Sequence, residues 1–348
     1  MLDDLHGWGI GQSGQDVNEH LAYTADGGRT WRDVTPPQPA APPDAGGMDL
    51  LAGVLDGSRV WAIFSPRQPI QAVGPQVVWM TTDSGNTWTA GQALPLQGNE
   101  EIFQPSQLTF SNASDGWLLA HVGAGMSHDY VDIFHTSDGG RTWQLLVDPE
   151  TDNLPMSCHK NGLTFLDANK GWAAGDCQGV EPGVYFYQTT DGGNTWNAVS
   201  LPAPAALPEL FTSEANLCGA FPPTFTDQQN GRLLVTCNRY DPSRAQDWLF
   251  VTGDGGASWQ PRQLPAGGGA MHFTDASLGW YLGNGRFYRT LDGGKTWEAR
   301  SRVSWSGQPD FVSPTLGWVI AHSAKAVALV TSTDGGLHWQ EIHPLIAP

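Results

Sequence analysis

The stretch Thr189–Trp196, TTDGGNTW, decides the fold, because the chain repeats it in every one of seven units. Its other copies are Thr24–Trp31 (TADGGRTW), Thr81–Trp88 (TTDSGNTW), Thr136–Trp143 (TSDGGRTW), Thr252–Trp259 (TGDGGASW), Thr290–Trp297 (TLDGGKTW) and Ser332–Trp339 (STDGGLHW). Repetition at intervals of about fifty residues marks one supersecondary unit stacked many times.

A second pattern keeps step with the first. Ahead of each box stand an apolar residue, usually an Asp two places on, and an aromatic seven places on. Phe165/Asp167/Trp172 shows the frame best. It recurs as Met1/Asp3/Trp8, Val54/Asp56/Trp61, Phe110/Asn112/Trp117, Phe225/Asp227/Arg232, Phe273/Asp275/Trp280 and Phe311/Ser313/Trp318. Arg232 breaks the aromatic column, and Val60 is the one exception to a Gly preceding that column. Each unit therefore reads as four short strands. In unit four these are A through Gly162–Leu166, B from Gly171–Gly175, C through Val184–Thr189 and D along Thr195–Leu201.

The box suits a hairpin turn. Its Asp accepts backbone N–H bonds, its fifth-position Gly admits positive φ, and its Thr or Ser hydroxyl caps the same turn. The box Trp is expected as a wedge between neighbouring sheets, each buried ring contributing about 4 kcal/mol at about 25 cal/mol/Å². Thirteen of the 16 Trp fall in the two repeated columns, so Trp is mainly architectural. Asp26, Asp83, Asp138, Asp191, Asp254, Asp292 and Asp334 are turn residues on this reading.

Seven four-stranded antiparallel units close best as an all-β, seven-bladed β-propeller, read as one domain over residues 1–348. Across its whole length the chain resembles the Asp-box (BNR-repeat) propellers, which include sialidases, xyloglucan-degrading endoglucanases, sortilin-type receptors and the photosystem II assembly-factor type. The resemblance implies a box at each C–D turn, away from the ligand site. In size, blade number and layout the chain is most similar to the assembly-factor type. That family's basic patch does not carry over, since 17 Lys and Arg are widely spread here.

A formal charge of −18 disfavours nucleic acid and anionic membranes as partners. No apolar run is long enough to span a bilayer. The frame places Met1 where strand A of the first unit should end. Either the tail Leu345–Pro348 helps to close the ring or, as we expect, the native chain continues upstream through a signal peptide or lipid anchor.

Cys158 and Cys177, and likewise Cys218 and Cys237, are 19 residues apart and occupy equivalent places in units four and five. Antiparallel A–B pairing sets each pair face to face, which predicts two disulfides rather than four buried thiols. Each bridge would contribute roughly 3 kcal/mol and imply an extracytoplasmic protein.

The A–B turns and boxes share one rim; the long B–C and D–A connections share the other, where a ligand is expected. Candidate ligand-binding residues on that rim are Trp305, the cluster Arg239, Tyr240, Asp241 and Arg244, and the cluster His128, Asp129 and Tyr130 with Met126. His121, His128 and His135 have no recognised ligand spacing, and no metal, cofactor or catalytic residue is assigned. The expected function is a non-catalytic, monomeric binding module for a protein, peptide or glycan. The alternative is a glycoside hydrolase drawing on Asp49, Glu100, Glu101, Asp129, Asp241 or Glu214. Against it stand a seventh box, the lack of the Arg-Ile-Pro motif of sialidases, and one propeller where xyloglucan-degrading enzymes use two.

Overall fold

The computed structural model describes residues 1–348 except 13–15, 43, 69–73, 99, 127, 152, 178–182, 214–215, 239–244, 266 and 348. Every regular element among the described residues is a β-strand, and no helix is long and apolar enough to cross a membrane. Unit three shows the blade most fully. Strand A (Gln104–Phe110), B (Gly116–Gly125), C (His128–Thr136) and D (Gln144–Val147) pair antiparallel in that order. Units two, six and seven repeat it as separate four-stranded sheets. Units four and five are two blades joined at one point, where Asp176 pairs with Gly219.

Two blades depart from the expected frame. In unit five strand A is split into Cys218–Ala220 and Thr224–Phe225, both paired to Gly231–Cys237. Pro222 and Pro223 stand in the gap and have no N–H to donate. In unit four strand D shortens to Asn197–Ala198, although the Val199 N–H still reaches the Phe186 carbonyl at 2.8 Å.

The first blade has strands B, C and D at Gly7–Gly11, His20–Thr24 and Thr30–Asp33, and no described strand pairs with the inner edge of Gly7–Gly11. The C-terminal strand Leu345–Ala347 joins this blade at its opposite, outer edge, parallel to Thr30–Asp33. The tail thus links the ends of the chain without supplying an inner strand.

The packing between blades follows one rule, and it refines the expected role of Trp. The strand-B aromatic of one blade reaches forward into the next. Trp61, Trp117, Trp280 and Trp318 donate their indole N–H to the carbonyl of the fourth box residue of the following blade: Gly139, Gly192, Gly335 and Gly27. The last of these closes the ring from blade seven to blade one. The first three of these rings also lie flat on the next blade's strand-A Phe: Trp61 on Phe110 at 3.5 Å, Trp117 on Phe165 at 3.6 Å, Trp280 on Phe311 at 3.8 Å. The box Trp meets that same Phe edge-on, as Trp143 does Phe110 and Trp196 does Phe165. Both columns therefore share the interface and both cross it: strand B reaches forward, while box Trp88 donates back to the Val34 carbonyl at 2.7 Å and Trp259 and Trp339 meet Phe186 and Phe287 of the preceding blades.

The exceptions obey the same geometry. Arg232 keeps the forward-reaching slot, lying 4.7 Å over Phe273 and donating to the Ala276 carbonyl of blade six. Burial, then the neighbouring Arg262 charge, pushes its guanidinium down to about 10. The Gly before the column lies against the strand-A anchor; a Cβ on Gly116 would sit 2.3 Å from Phe110, and one on Gly171 2.5 Å from Phe165. Blade two has Val54 as its anchor and no ring to clear, so Val60 fits there.

The box is a closed hydrogen-bond unit. In the first, Thr24 Oγ1 donates to Asp26 Oδ1 and accepts from the Gly28 N–H, while the Thr30 N–H and hydroxyl both donate to the Asp26 carboxylate. The other six copies repeat it, with Ser258 or His338 in place of the second Thr in two of them. The column Asp residues cap the A–B turns in the same manner; Asp167 Oδ1, for example, accepts the N–H groups of Asn169 and Lys170.

Candidate functional site

The box and A–B-turn Asp residues are bonded within their own turns. The opposite rim carries the remaining chemistry, much of it on one strand. Strand C of blade three begins at His128, and its side chains alternate between two blade interfaces. Asp129 faces blade four, whereas Tyr130 and Asp132 face the side shared with Glu100 and Glu101.

On the first face Asp129 is buried, with its carboxylate between two imidazoles. His121 Nδ1 lies 2.8 Å from Oδ1, and His159 Nδ1 lies 3.1 Å from Oδ2. The two imidazole rings stack at 5.1 Å and 10°. Oδ2 also accepts the Lys160 N–H at 2.8 Å. Burial alone would raise the Asp129 carboxyl; the hydrogen bonds from His121 and His159 outweigh it and hold the group well below the usual carboxylate range. The buried Lys160 ammonium donates to the carbonyls of Asp129, Ser157 and Cys158 at 2.8, 3.2 and 3.1 Å, so all three protons are satisfied. Burial pushes Lys160 down to about 8. The disulfide Cys158–Cys177 closes beside this cluster, and Cys218–Cys237 braces the next blade.

On the second face a pocket of about 220 Å³ is lined by Glu100, Glu101, Asp132, Asp148 and Tyr130. Glu100 accepts the N–H groups of Gln97 and Gly98, and Asp148 those of Glu150 and Thr151. Asp132 is 1% exposed, and its Oδ2 has no hydrogen-bond partner. Burial, then the charges of Glu100 and Asp148, pushes its carboxyl up to about 7. Asp132 is a perturbed group that the sequence did not single out, because its burial depends on a pleat position that no motif marks.

A third feature lies where the ring closes. A groove of about 560 Å³ runs between the last blade and the face of blade one, from Met1 and Trp8 on the inner side to Ile346 of the tail on the outer side, and it reaches the long-loop rim at Gln12, Gln308 and His322. Its lining is apolar, with Trp8 and Trp318 at its base. Ile10 and Ile346 on one side and Ile320 and Val327 on the other are 39%, 63%, 50% and 63% exposed. Met1 lies at its foot in the place of a strand-A anchor, its Sδ 2.3 Å from where a Gly7 Cβ would stand. A fourth cavity, of about 430 Å³, sits under the Pro-rich connection at Ala206–Leu210, next to Asn238 and Gln246.

The sequence candidates distribute as follows. His128 is exposed on the rim, with its ring against the Met126 carbonyl, and Tyr130 is half-buried at the acidic pocket. Trp305 is half-buried, edge-on to Trp339 at 5.4 Å, and packs against the cores of blades six and seven. Arg239, Tyr240, Asp241 and Arg244, and the carboxylate Glu214, lie outside the described residues. The histidines regroup: His135 stacks on Trp117 and faces Asp115, while His121 is brought to Asp129 and to His159 from the next blade.

No protein-family model matches the chain. A solved structure of YCF48 bound to D1 peptide superposes with a TM-score of 0.57, at 20% identity, covering 96% of this chain and 91% of that one. YCF48 from Cyanidioschyzon merolae gives 0.51 at 18% identity, covering 94% and 91%. The chain shares their propeller fold. Among curated proteins it is similar to a xyloglucanase of Paenibacillus, 25% identical over 197 residues, and to an oligoxyloglucan-reducing end-specific xyloglucanase of Emericella nidulans, 26% identical over 201 residues. Each match covers 52% of this chain but only 18% and 24% of those enzymes, so the chain spans about a quarter or less of their length.

Proposed function

We propose that the protein is a non-catalytic, extracytoplasmic binding propeller, acting as a one-domain monomer, whose ligand is an extended peptide segment. The observation that carries this reading is the closure groove. The groove is apolar and opens to the long-loop rim, so it offers side-chain contacts along an extended segment. Ile10 of blade one, Ile320 and Val327 of the last blade and Ile346 of the tail leave large aliphatic surface exposed in it, the kind of patch that marks an interaction surface. The reading calls for a ligand with apolar side chains at alternate positions. Two disulfides support an oxidising compartment. The YCF48 neighbour was solved with a peptide bound, which supports a peptide before a glycan.

The test uses a labelled peptide copying this chain's own strand A of blade two, Met48–Val54, read by fluorescence anisotropy. Saturable binding that is lost in Ile10→Asp and Ile320→Asp is expected, along with loss when a Pro interrupts the peptide. Binding that ignores both substitutions, or none at all, overturns the reading.

One observation favours a second reading, a glycoside hydrolase. Asp132, pushed up to about 7 beside the carboxyl groups of Glu100 and Asp148, has the raised carboxyl of a general acid with a second carboxyl group nearby. The xyloglucanase relatives supply the substrate class to assay. Release of reducing ends from xyloglucan, abolished by Asp132→Asn, would establish this reading against the first.

A further inference from the structure

We propose that His121, Asp129 and His159 form a binding site for one divalent transition-metal ion of the zinc class, open to solvent between blades three and four. One donor atom from each residue lies within 4.8 Å of the others. Zinc holds imidazole nitrogen and carboxylate oxygen at about 2.0–2.2 Å, which sets donors roughly 3.4 Å apart. The widest donor separation would therefore have to close by up to about 1.4 Å onto the ion.

The residue types select the metal. Two imidazoles and one carboxylate suit zinc, copper or nickel, whereas calcium and magnesium require six or more oxygen donors. The surroundings hold the donors in place. The backbone N–H of Asp129 donates to the Met156 carbonyl at 2.8 Å, and its Oδ2 is oriented by the Lys160 N–H. Such supporting bonds aim a ligand and fix its conformation. The Cys158–Cys177 bridge anchors the start of the strand that carries His159. The Lys160 ammonium gives its protons to three backbone carbonyls and not to the carboxylate, so an ion that displaced the imidazole protons from between His121, Asp129 and His159 would meet no competing side-chain cation there among the described residues.

His159 is the one half-exposed member, with 51% of its side chain accessible, against 15% for His121 and 11% for Asp129. Three protein donors with one side toward solvent make an open coordination sphere, able to accept a further ligand atom from a bound molecule. Exposed His128 stands on the same rim.

Tag-free protein stripped with EDTA is titrated with zinc chloride by calorimetry, and cobalt is substituted to read the coordination sphere by visible absorption. The expected result is one ion per chain, with cobalt bands of a nitrogen–oxygen site. His159→Gln and His121→Gln should each weaken zinc binding at least roughly tenfold with unchanged circular dichroism. The exposed pair His338 and His343 supplies the control: His338→Gln/His343→Gln should bind zinc as the native chain does. No zinc uptake, uptake undiminished in His159→Gln, or loss in the His338/His343 variant overturns the proposal. A calcium response in place of zinc overturns it equally.

Discussion

Asp292 illustrates how a single side chain is used in this molecule. The Thr296 hydroxyl and N–H donate to its carboxylate and hold it down at about 2; Asp254 is held at about 2 by the Ser258 and Thr252 hydroxyls. A carboxylate whose folded pKa is depressed stabilises the fold above its unfolded value and loses that contribution as pH falls through the folded one. Acid unfolding is therefore expected between about pH 4 and pH 2, not above it. Asp292→Asn should cost about 1–2 kcal/mol at pH 7, and the cost should shrink toward pH 2; urea midpoints at several pH values measure it. Asp132 has the opposite sign. Its carboxyl is raised to about 7, so the fold favours the protonated form and carries a penalty that grows from about pH 4 to pH 7. Asp132→Asn should leave stability at pH 4 unchanged and raise it above pH 7, by on the order of 2–4 kcal/mol. A variant less stable at pH 8 would show that the carboxylate is held by bonds that the buried geometry does not reveal.

At the scale of elements, the strand A–B hairpin is the unit that the disulfides reinforce. Cys218 stands directly opposite Cys237 in the register of blade five. This is the blade whose strand A is broken by Pro222 and Pro223, so the bridge lies where the ladder is weakest. Closing a loop of that size contributes about 3 kcal/mol through the unfolded chain. Cys218→Ser/Cys237→Ser is expected to lower the urea-derived stability by about that amount, and a loss below 1 kcal/mol would show that the split strand is held by its own packing. The pairing was legible in the sequence because two cysteine pairs at equal spacing sat in equal frames. The shortening of strand D in blade four was not. Its residues have strand character, but only the position of the neighbouring strand decides where pairing stops.

For the whole molecule the question is what closes the ring. Among the described residues, contacts at the joint between last and first blade include the Trp318 wedge bonded to Gly27, the Met1 ammonium paired with Asp310, and the tail strand Leu345–Ala347 on the outer edge. Leu345 and Ile346 are 69% and 63% exposed, so the tail buries little. Trp318 is 4% exposed. Trp318→Ala should cost about 3–5 kcal/mol, whereas removing residues 345–348 should cost less than about 1 kcal/mol. Differential denaturation of the two variants decides between them. The sequence by itself determined the blade count, the turn chemistry of the boxes and the cysteine pairs, since each is written as a local phrase at a fixed spacing and depends on neighbours along the chain. The forward reach of the strand-B tryptophans, the cluster of His121, Asp129 and His159, the unpartnered Asp132 and the closure groove were decided only by tertiary structure. They are contacts between blades, made by residues far apart in the chain, and their distances follow from how the ring closes.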